Sequence, residues 1–387
     1  MIARPRSAAG EAMTGRRVLI VGAGIAGLAL ARMLARRGIS PEVIEREPVW
    51  RRAGTGMYLP GNATRALRAL GLDAQVACRS VEIPRQRFCD HRGGLLCEVD
   101  VAELWRPIGP CLAIHRAELH ELLLEATSDV PIRLGQAVDC VTQGNGIVSV
   151  EFSDGTSGDY DLVVAADGIN SAVRRLTFEP APVPRPVGQV GWRFVAARPP
   201  AVTTWSVMLG RRTAFLTIPI GDDRVYCYCD VHSLRDPDSA EHAPAERLTQ
   251  LFSEFADPAT TLLDNLDDAA DIHVSVIEEV ALDCWVRDHI VLIGDAAHAT
   301  SPNMAQGAAM ALEDALVLAH CLRDIRAIPD ALAAFEARRR PRTDWVRAQT
   351  HRRDHTRHLP PTVRDNVLRL LGRRIFHANY RPLLDEP

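Results

Sequence analysis

A chain of 387 residues with 47% hydrophobic side chains can bury a sizeable core and is too long for one minimal domain, so two closely packed units are expected and general disorder is excluded. The 45 basic and 49 acidic residues leave a formal net charge of −4, without the basic field that nucleic-acid or anionic-membrane binding normally uses. All 45 basic residues are arginine, which also excludes Schiff-base chemistry and the GK[ST] phosphate loop.

Residues 1–15 lack an apolar stretch and read as a soluble leader, with Met13 a second candidate start. Arg17–Val21 is a short apolar strand ending in VGAGIAG, followed by a helix to Gly38 and a second strand, Val43-Ile44-Glu45. Strand, glycine turn, helix and strand make a βαβ unit with a right-handed crossover. Asn62 is expected to cap a helix through Ala66, Leu67 and Leu70 that stops at Gly71, and a further helix occupies Arg116 to Leu124. Strands at Ala137–Thr142 and Ile147–Phe152 flank the hairpin signal Gly144-Asn145-Gly146, before Asp161–Ala165 returns to the sheet.

The proline-rich stretch Glu179–Pro186 reads as a linker. Beyond it, strands are predicted at Val187–Ala196, Thr203–Leu209, Thr213–Pro219 and Arg224–Val231, then a helix at Ala245–Phe255. A buried-type strand, His289–Gly294, and an alanine-rich helix to Cys321 complete the first unit late in the chain. The expected division is a discontinuous Rossmann-like α/β nucleotide-binding domain (16–79, 110–178 and 281–345), a mainly β substrate domain (80–109 and 179–280) and a C-terminal helical segment (346–387). In that last segment Val367, Leu368, Leu370 and Leu371 are expected to pack, and His351, His355 and His358 to belong to a solvated basic helix rather than a metal site. Nine cysteines without a CxxC pair suggest neither a disulfide framework nor zinc, and a reducing cytoplasmic setting is expected. No run reaches the ~18 apolar residues of a membrane span.

Three motifs carry chemistry. Gly22, Gly24 and Gly27 stand in GxGxxG spacing between a strand and a helix. Gly22 permits the tight turn, Gly24 the approach of a pyrophosphate, and Gly27 close helix–strand packing. Glu45, at the end of the second strand, is placed to accept ribose hydroxyls. The second motif is Asp167-Gly168 after the strand Leu162–Ala165. The third is Asp295 after Val291–Gly294, where it can bind a ribitol hydroxyl, with a helix beyond Gln306-Gly307-Ala308-Ala309 whose N-terminus favours an anionic reduced flavin.

In this order, GAGIAG with Glu45-Arg46, AGTGMYLPGNATRALRALGL, IHRAELHELL, AADGINSAVR and GDAAHATSPNMAQGAAMALEDA resemble the class A flavoprotein monooxygenases, the aromatic hydroxylases of the p-hydroxybenzoate and salicylate hydroxylase kind. The resemblance implies FAD held by the first glycine motif, Glu45, Arg46 and Gly56, with Arg116 near the flavin and its phosphates. It implies Asp167 and Gly168 serving both FAD and NADH or NADPH, Asp295 on the ribitol, and Gly307 and Ala308 beside the ring. Relatives often carry GQGxN where this chain has Gln306-Gly307-Ala308-Ala309. The reaction implied is reduction of FAD by NAD(P)H, addition of O2 at flavin C4a, and oxygen transfer from the hydroperoxide to an aromatic or polyaromatic substrate. Arg193 and Tyr226 match, loosely, the catalytic residues with which some relatives hold phenolate substrates, with Met208, Phe215 and Thr217 as candidate pocket lining. His298, in GDAAH, is expected to be structural. Flavin-dependent halogenation is set aside because the required lysine and WxWxIP element are absent. A flavoprotein reductase without oxygen insertion, an epoxidase or Baeyer–Villiger enzyme, and a non-catalytic flavin-binding partner remain as alternatives.

Overall fold

The computed structural model describes residues 15–50, 55–180, 182–232, 244–266 and 271–387, so nearly all of the expected leader lies outside the described residues. The described chain opens with β1 (Val18–Val21), α1 (Ile25–Ala35) and β2 (Glu42–Glu45). Every residue of β1 is buried, as a central parallel strand covered on both faces requires. Next come β3 (Gly56–Leu59) and α2 (Gly61–Leu70). Gly71 stops α2 at φ 75°, but Pro60 rather than Asn62 stands at its N-cap, because Asn62 turns inward to other partners.

Short α3 (Asp73–Cys78) and β4 (Val81–Glu82) precede the hairpin β5 (Arg85–Asp90) and β6 (Leu95–Asp100). After α4 (Val101–Trp105), β7 (Leu112–His115), α5 (Arg116–Glu125) and β8 (Ile132–Leu134) comes the meander of β9 (Val138–Gly144), β10 (Ile147–Phe152) and β11 (Ser157–Tyr160). Its first turn holds Asn145 at φ 53° and Gly146 at φ 77°, the left-handed pair that a tight hairpin demands. Then follow β12 (Leu162–Ala165) and α6 (Ala172–Thr177).

The next strands are β13 (Arg185–Ala197), β14 (Trp205–Leu209), β15 (Thr213–Ile220) and β16 (Arg224–His232). Strand pairing begins inside the predicted linker, since Arg185 and Pro186 already face Glu279 and Glu278. The register shift between Pro186 and Gln189 accommodates a residue that has no N–H. Helices α7 (Pro244–Leu251) and α8 (Ala259–Asp264) lead to β17 (His273–Glu279), an edge strand that the sequence reading missed. The chain closes with β18 (Val286–Arg287), β19 (Ile290–Leu292), α9 (Asp295–His298), α10 (Gly307–Asp324), α11 (Ile328–Arg357) and α12 (Pro361–Tyr380). Helix α11 runs unbroken across position 345, where a segment boundary was expected.

The strands form a six-stranded sheet in the order β18-β19-β12-β1-β2-β8, a seven-stranded sheet β17-β13-β16-β15-β14-β5-β6, and two three-stranded sheets, β11-β10-β9 and β3-β7-β4. The hairpin from the first third of the chain thus joins the seven-stranded sheet, through parallel pairing of β5 with β14. One core cluster fills the six-stranded sheet and its helices and extends to one face of the seven-stranded sheet through Trp205, Val207, Tyr226 and Tyr228. A second cluster, with Phe194, Met208, Phe215, Leu248 and Phe252, lies on the opposite face under α7 and α8. Two polar clamps fasten α11. Asp354 accepts hydrogen bonds from Gln189 and Asn303, and Arg357 pairs with Asp230. The three C-terminal histidines do not converge: His351 bonds Glu279, His355 bonds the His351 carbonyl, and His358 stacks on His232.

Candidate functional site

Adjacent parallel strands bring the three motifs to one edge. In the order β19-β12-β1-β2, the carboxyl ends carry Asp295, Asp167, Gly22 and Glu45. Three strand spacings of ~4.8 Å put the outer two about 14 Å apart, within reach of one extended dinucleotide. The glycines show why the segments meet so closely. Gly22 has φ +102°, and a Cβ on it would lie 2.5 Å from the Ala166 carbonyl oxygen and 2.9 Å from Asp167 Cα. A Cβ on Gly27 would lie 2.0 Å from the Gly22 carbonyl, the helix–strand contact expected of the third glycine. Gly24 has nothing within 4 Å of that position, so its backbone is open to an approaching group. Gly294 (φ +59°) ties in the last motif, since a Cβ there would come to 3.1 Å from Ala26 Cβ on α1.

The carboxylates are held in three ways. Glu45 accepts from the Ala23 amide (3.0 Å) and the Glu47 amide (3.0 Å), which fixes it beside the glycine turn with lone pairs to spare. Asp167 Oδ2 accepts from Ala172 (2.7 Å) and Val173 (3.3 Å), while its Oδ1 is buried without a hydrogen-bond partner among the described residues. Burial pushes the Asp167 carboxyl above the usual range. Asp295 is exposed at the first position of α9. Arg46 is exposed alongside Glu47, and Arg116 is exposed at the start of α5. Gly168 (φ +78°) and Gly307 have open space where a side chain would be, and no side chain caps α10 beside Gly307 and Ala308. An unpartnered acidic oxygen, open glycines and two helix N-termini without side-chain caps suit a phosphate-bearing, hydroxyl-rich cofactor such as FAD. Gly56 is glycine for another reason: its missing Cβ would lie 2.3 Å from Tyr226 Cβ, so it marks the close approach of β3 to the seven-stranded sheet.

Behind the last motif lies a buried ionic network that the sequence reading missed. Asp314 Oδ2 accepts from the Gly294 amide (2.9 Å) and His298 Nε2 (2.6 Å), and its Oδ1 accepts from Arg339 Nε (2.8 Å). Arg339 also donates to Glu313 (2.8 Å), which is shared with Arg342 and with Asn62 Nδ2 (3.1 Å). Asn62 in turn reaches Gln306 Oε1 (3.0 Å) at the foot of α10. Burial raises the Asp314 carboxyl, but His298 and Arg339 together outweigh it and leave the group below its ordinary value. The His298 contact agrees with its expected structural role. The available signal was an acidic pair, Glu313-Asp314, inside an otherwise apolar helix, where charge is retained only when paired.

The seven-stranded sheet completes the site. Strand alternation puts Arg193, Tyr226 and Tyr228 on the face turned toward the six-stranded sheet, and His273 is directly across from Arg193. The same alternation corrects one expectation: Met208, Phe215 and Thr217 lie on the other face, where Met208 and Phe215 pack in the second core. The Arg193 guanidinium donates to Ser275 Oγ (2.7 Å) and sits 5.1 Å over the Tyr228 ring, with no carboxylate partner among the described residues. Tyr228 OH is buried without a hydrogen-bond partner among the described residues. Burial pushes the Tyr226 phenol up to about 12, against the opposing pull of Arg193 and Arg116, so at neutral pH it is a hydrogen-bond donor and not a base. An absorbance titration should therefore assign no phenolate to Tyr226 below about pH 11, as judged by difference from Tyr226→Phe. His273 is held below the usual imidazole range by burial and by Arg193 and Arg116.

A dinucleotide cradle at the carboxyl edge of a parallel sheet, facing a polar and aromatic wall on a second sheet, defines a flavoprotein of the aromatic hydroxylase class. Residues 16–350 match the model of the FAD binding domain family, and the chain belongs to that family. It is 35% identical over 345 residues to the aurachin C monooxygenase/isomerase of Stigmatella aurantiaca, covering 88% of this chain and 89% of that protein. It is 36% identical over 341 residues to the 2-heptyl-3-hydroxy-4(1H)-quinolone synthase of Pseudomonas aeruginosa, covering 86% and 87%. The structure of Klebsiella pneumoniae HpxO with FAD and uric acid superimposes with a TM-score of 0.86 at 26% identity, covering 96% of this chain and 98% of that one. The chain is an FAD-dependent monooxygenase.

Proposed function

We infer that the enzyme uses NADH or NADPH and O2 to hydroxylate an electron-rich aromatic or polyaromatic small molecule between the two large sheets. The observation that carries this reading is Arg193: a half-buried guanidinium, stacked on Tyr228 and without a carboxylate partner among the described residues, lies on the face of the seven-stranded sheet turned toward the six-stranded sheet. Such a group suits a phenolate or other ring-borne oxyanion, whose negative charge raises the nucleophilicity of the ring. Tyr226 donates a hydrogen bond from its protonated phenol.

FAD, when bound, would supply the acceptor for a hydride from NAD(P)H and the chemistry that activates O2. Gly24 and the amides at the head of α1 receive its pyrophosphate, with Gly22 and Gly27 permitting the turn and the close helix–strand contact, while Glu45 and Arg46 take the adenosine end. Gly56 and Arg116 flank the ring, Asp167 and Gly168 serve both nucleotides, Asp295 binds the ribitol, and Gly307 and Ala308 offer amides beside the ring. In this reading 16–79, 110–178 and 281–345 form the FAD unit, and 80–109 and 179–280 the substrate unit. The apolar contacts of Tyr226 and Trp205 with β3 limit water entry where the sheets meet.

The test is to purify the protein, measure its bound flavin, and screen phenolic and heteroaromatic acids for accelerated NAD(P)H oxidation in air, with product mass. A product heavier by one oxygen supports the reading. Oxidation without an oxygenated product identifies a reductase, and failure to take up FAD overturns both. With a substrate in hand, Arg193→Met should raise KM by roughly 10- to 100-fold, the effect of losing a charge-assisted hydrogen bond. An unchanged KM removes Arg193 from the site.

A further inference from the structure

Helix α12 is apolar on two faces, and only one of them has a partner in the fold. Its inner face is fully used: Arg364 donates to the Gly210 and Leu209 carbonyls, Gly372 closes on Cys97, and Phe376 and Tyr380 are buried. Leu368 packs with this face, as expected, but Leu370 is 81% exposed and Leu371 44% exposed. Val363, Val367, Leu370, Leu371 and Ile375 recur at the spacing of a single outward stripe. The concentration is local, for of eleven large apolar side chains exposed among the described residues, five (Leu359, Val363, Leu370, Leu371 and Ile375) lie on or just before this helix.

The exposed charges on this helix have one sign. Arg374 and Arg381, on the stripe's own side, and Arg369 and Arg373, on the shoulder where Arg373 donates to the Glu98 carbonyl, have no carboxylate partner among the described residues, whereas Asp365, the only acidic residue from 359 to 381, is bound by Arg364. On the shoulder toward β6, Glu98 is already shared by Arg85 and Arg87, and Asp100 caps the Glu103 amide. A net charge of −4 for the whole chain thus conceals a basic, apolar strip at one end.

We propose that the outer face of α12 docks on an anionic lipid surface, with Val363, Val367, Leu370 and Leu371 entering the interface and Arg374 and Arg381 meeting the headgroups. An apolar stripe that carries arginines along its own side suits a helix held in the plane of such a surface. A second copy of the chain suits it less well, because a two-fold pairing of α12 would bring the arginines against their own copies. Association is peripheral, as no helix among the described residues is long and apolar enough to cross a membrane. The expectation of no membrane partner was drawn from net charge and from the lack of a spanning segment, neither of which describes how charge is distributed along α12.

The test is flotation of the FAD-loaded full chain with vesicles of phosphatidylcholine mixed with phosphatidylglycerol, against phosphatidylcholine alone, at low and high salt. Flotation is expected only with the anionic vesicles and should weaken as salt rises. Leu370→Glu with Leu371→Glu should lower partitioning at least tenfold, and Arg374→Ala with Arg381→Ala about tenfold or more. Unchanged melting temperature and flavin content in these variants show that the fold is retained. No flotation, equal flotation on neutral vesicles, or wild-type flotation of the Leu variant overturns the proposal. A dimer in sedimentation velocity that the Leu variant breaks also overturns it, assigning the face to a second copy.

Discussion

Gly22→Ala is expected to lower FAD affinity at least ~100-fold and to destabilise the protein, since a left-handed residue with a Cβ costs about 1–2 kcal/mol before any clash is counted. The clash is severe because the three atoms nearest the added Cβ are all backbone: the Ala166 carbonyl oxygen at 2.5 Å, its carbon at 2.8 Å and Asp167 Cα at 2.9 Å. No side chain can rotate away, so the β1 turn and the Asp167 turn must separate, and both border the proposed cofactor cradle. Gly24→Ala provides the contrast. Nothing stands within 4 Å of its new methyl group, so stability should hold while FAD affinity falls. Flavin titration followed by thermal melting separates the two effects. Wild-type FAD affinity in Gly22→Ala would show that the first turn does not contact the cofactor.

Asp314→Ala should destabilise the fold by about 3–5 kcal/mol, the range for breaking a buried ion pair and leaving the other charge without compensation. Arg339 is fully buried and bound to Asp314 and Glu313, and the Gly294 amide and His298 lose their acceptor in the same change. Asp314→Asn keeps the shape and removes the charge, so its effect isolates the ionic part. The sign of the pH dependence follows from the depressed carboxyl in the folded state. A carboxylate held below its unfolded value of about 3.9 stabilises the fold above that pH, and the contribution is lost as pH falls through the folded-state value. The stability gap between wild type and Asp314→Asn should therefore be full at pH 6 to 7 and shrink below about pH 4. Urea denaturation across that range measures it, and a gap independent of pH would assign the effect to hydrogen-bond geometry.

The glycine turns and the parallel strands were legible because each is a local statement: an apolar run, a residue without Cβ, then a helix. The hairpin at Asn145-Gly146 was legible for the same reason. What escaped depends on pairing at a distance. The edge strand β17 alternates weakly, and its position beside Arg193 rests on register with β13, so His273 and Ser275 gave no local signal. The error over Met208, Phe215 and Thr217 has the same origin. A strand pattern places residues on two faces but does not say which face meets the flavin sheet until α7 and α8 cover the other. Asn62 reads as a cap in sequence because Asn commonly caps helices, yet Glu313 and Gln306, some 250 residues away, claim its amide.

The late arrival of β19 shapes how the molecule is born. From the end of β12 at Ala165 to the start of β19 at Ile290 the ribosome must add about 125 residues, some 6 to 25 s of synthesis at ordinary rates. Throughout that interval the growing polypeptide presents β12 as an open sheet border, a template for unwanted neighbours. The carboxylate of Asp295 is made later still, so the part of the proposed cradle assigned to the adenosine end is synthesised well before the part assigned to the ribitol.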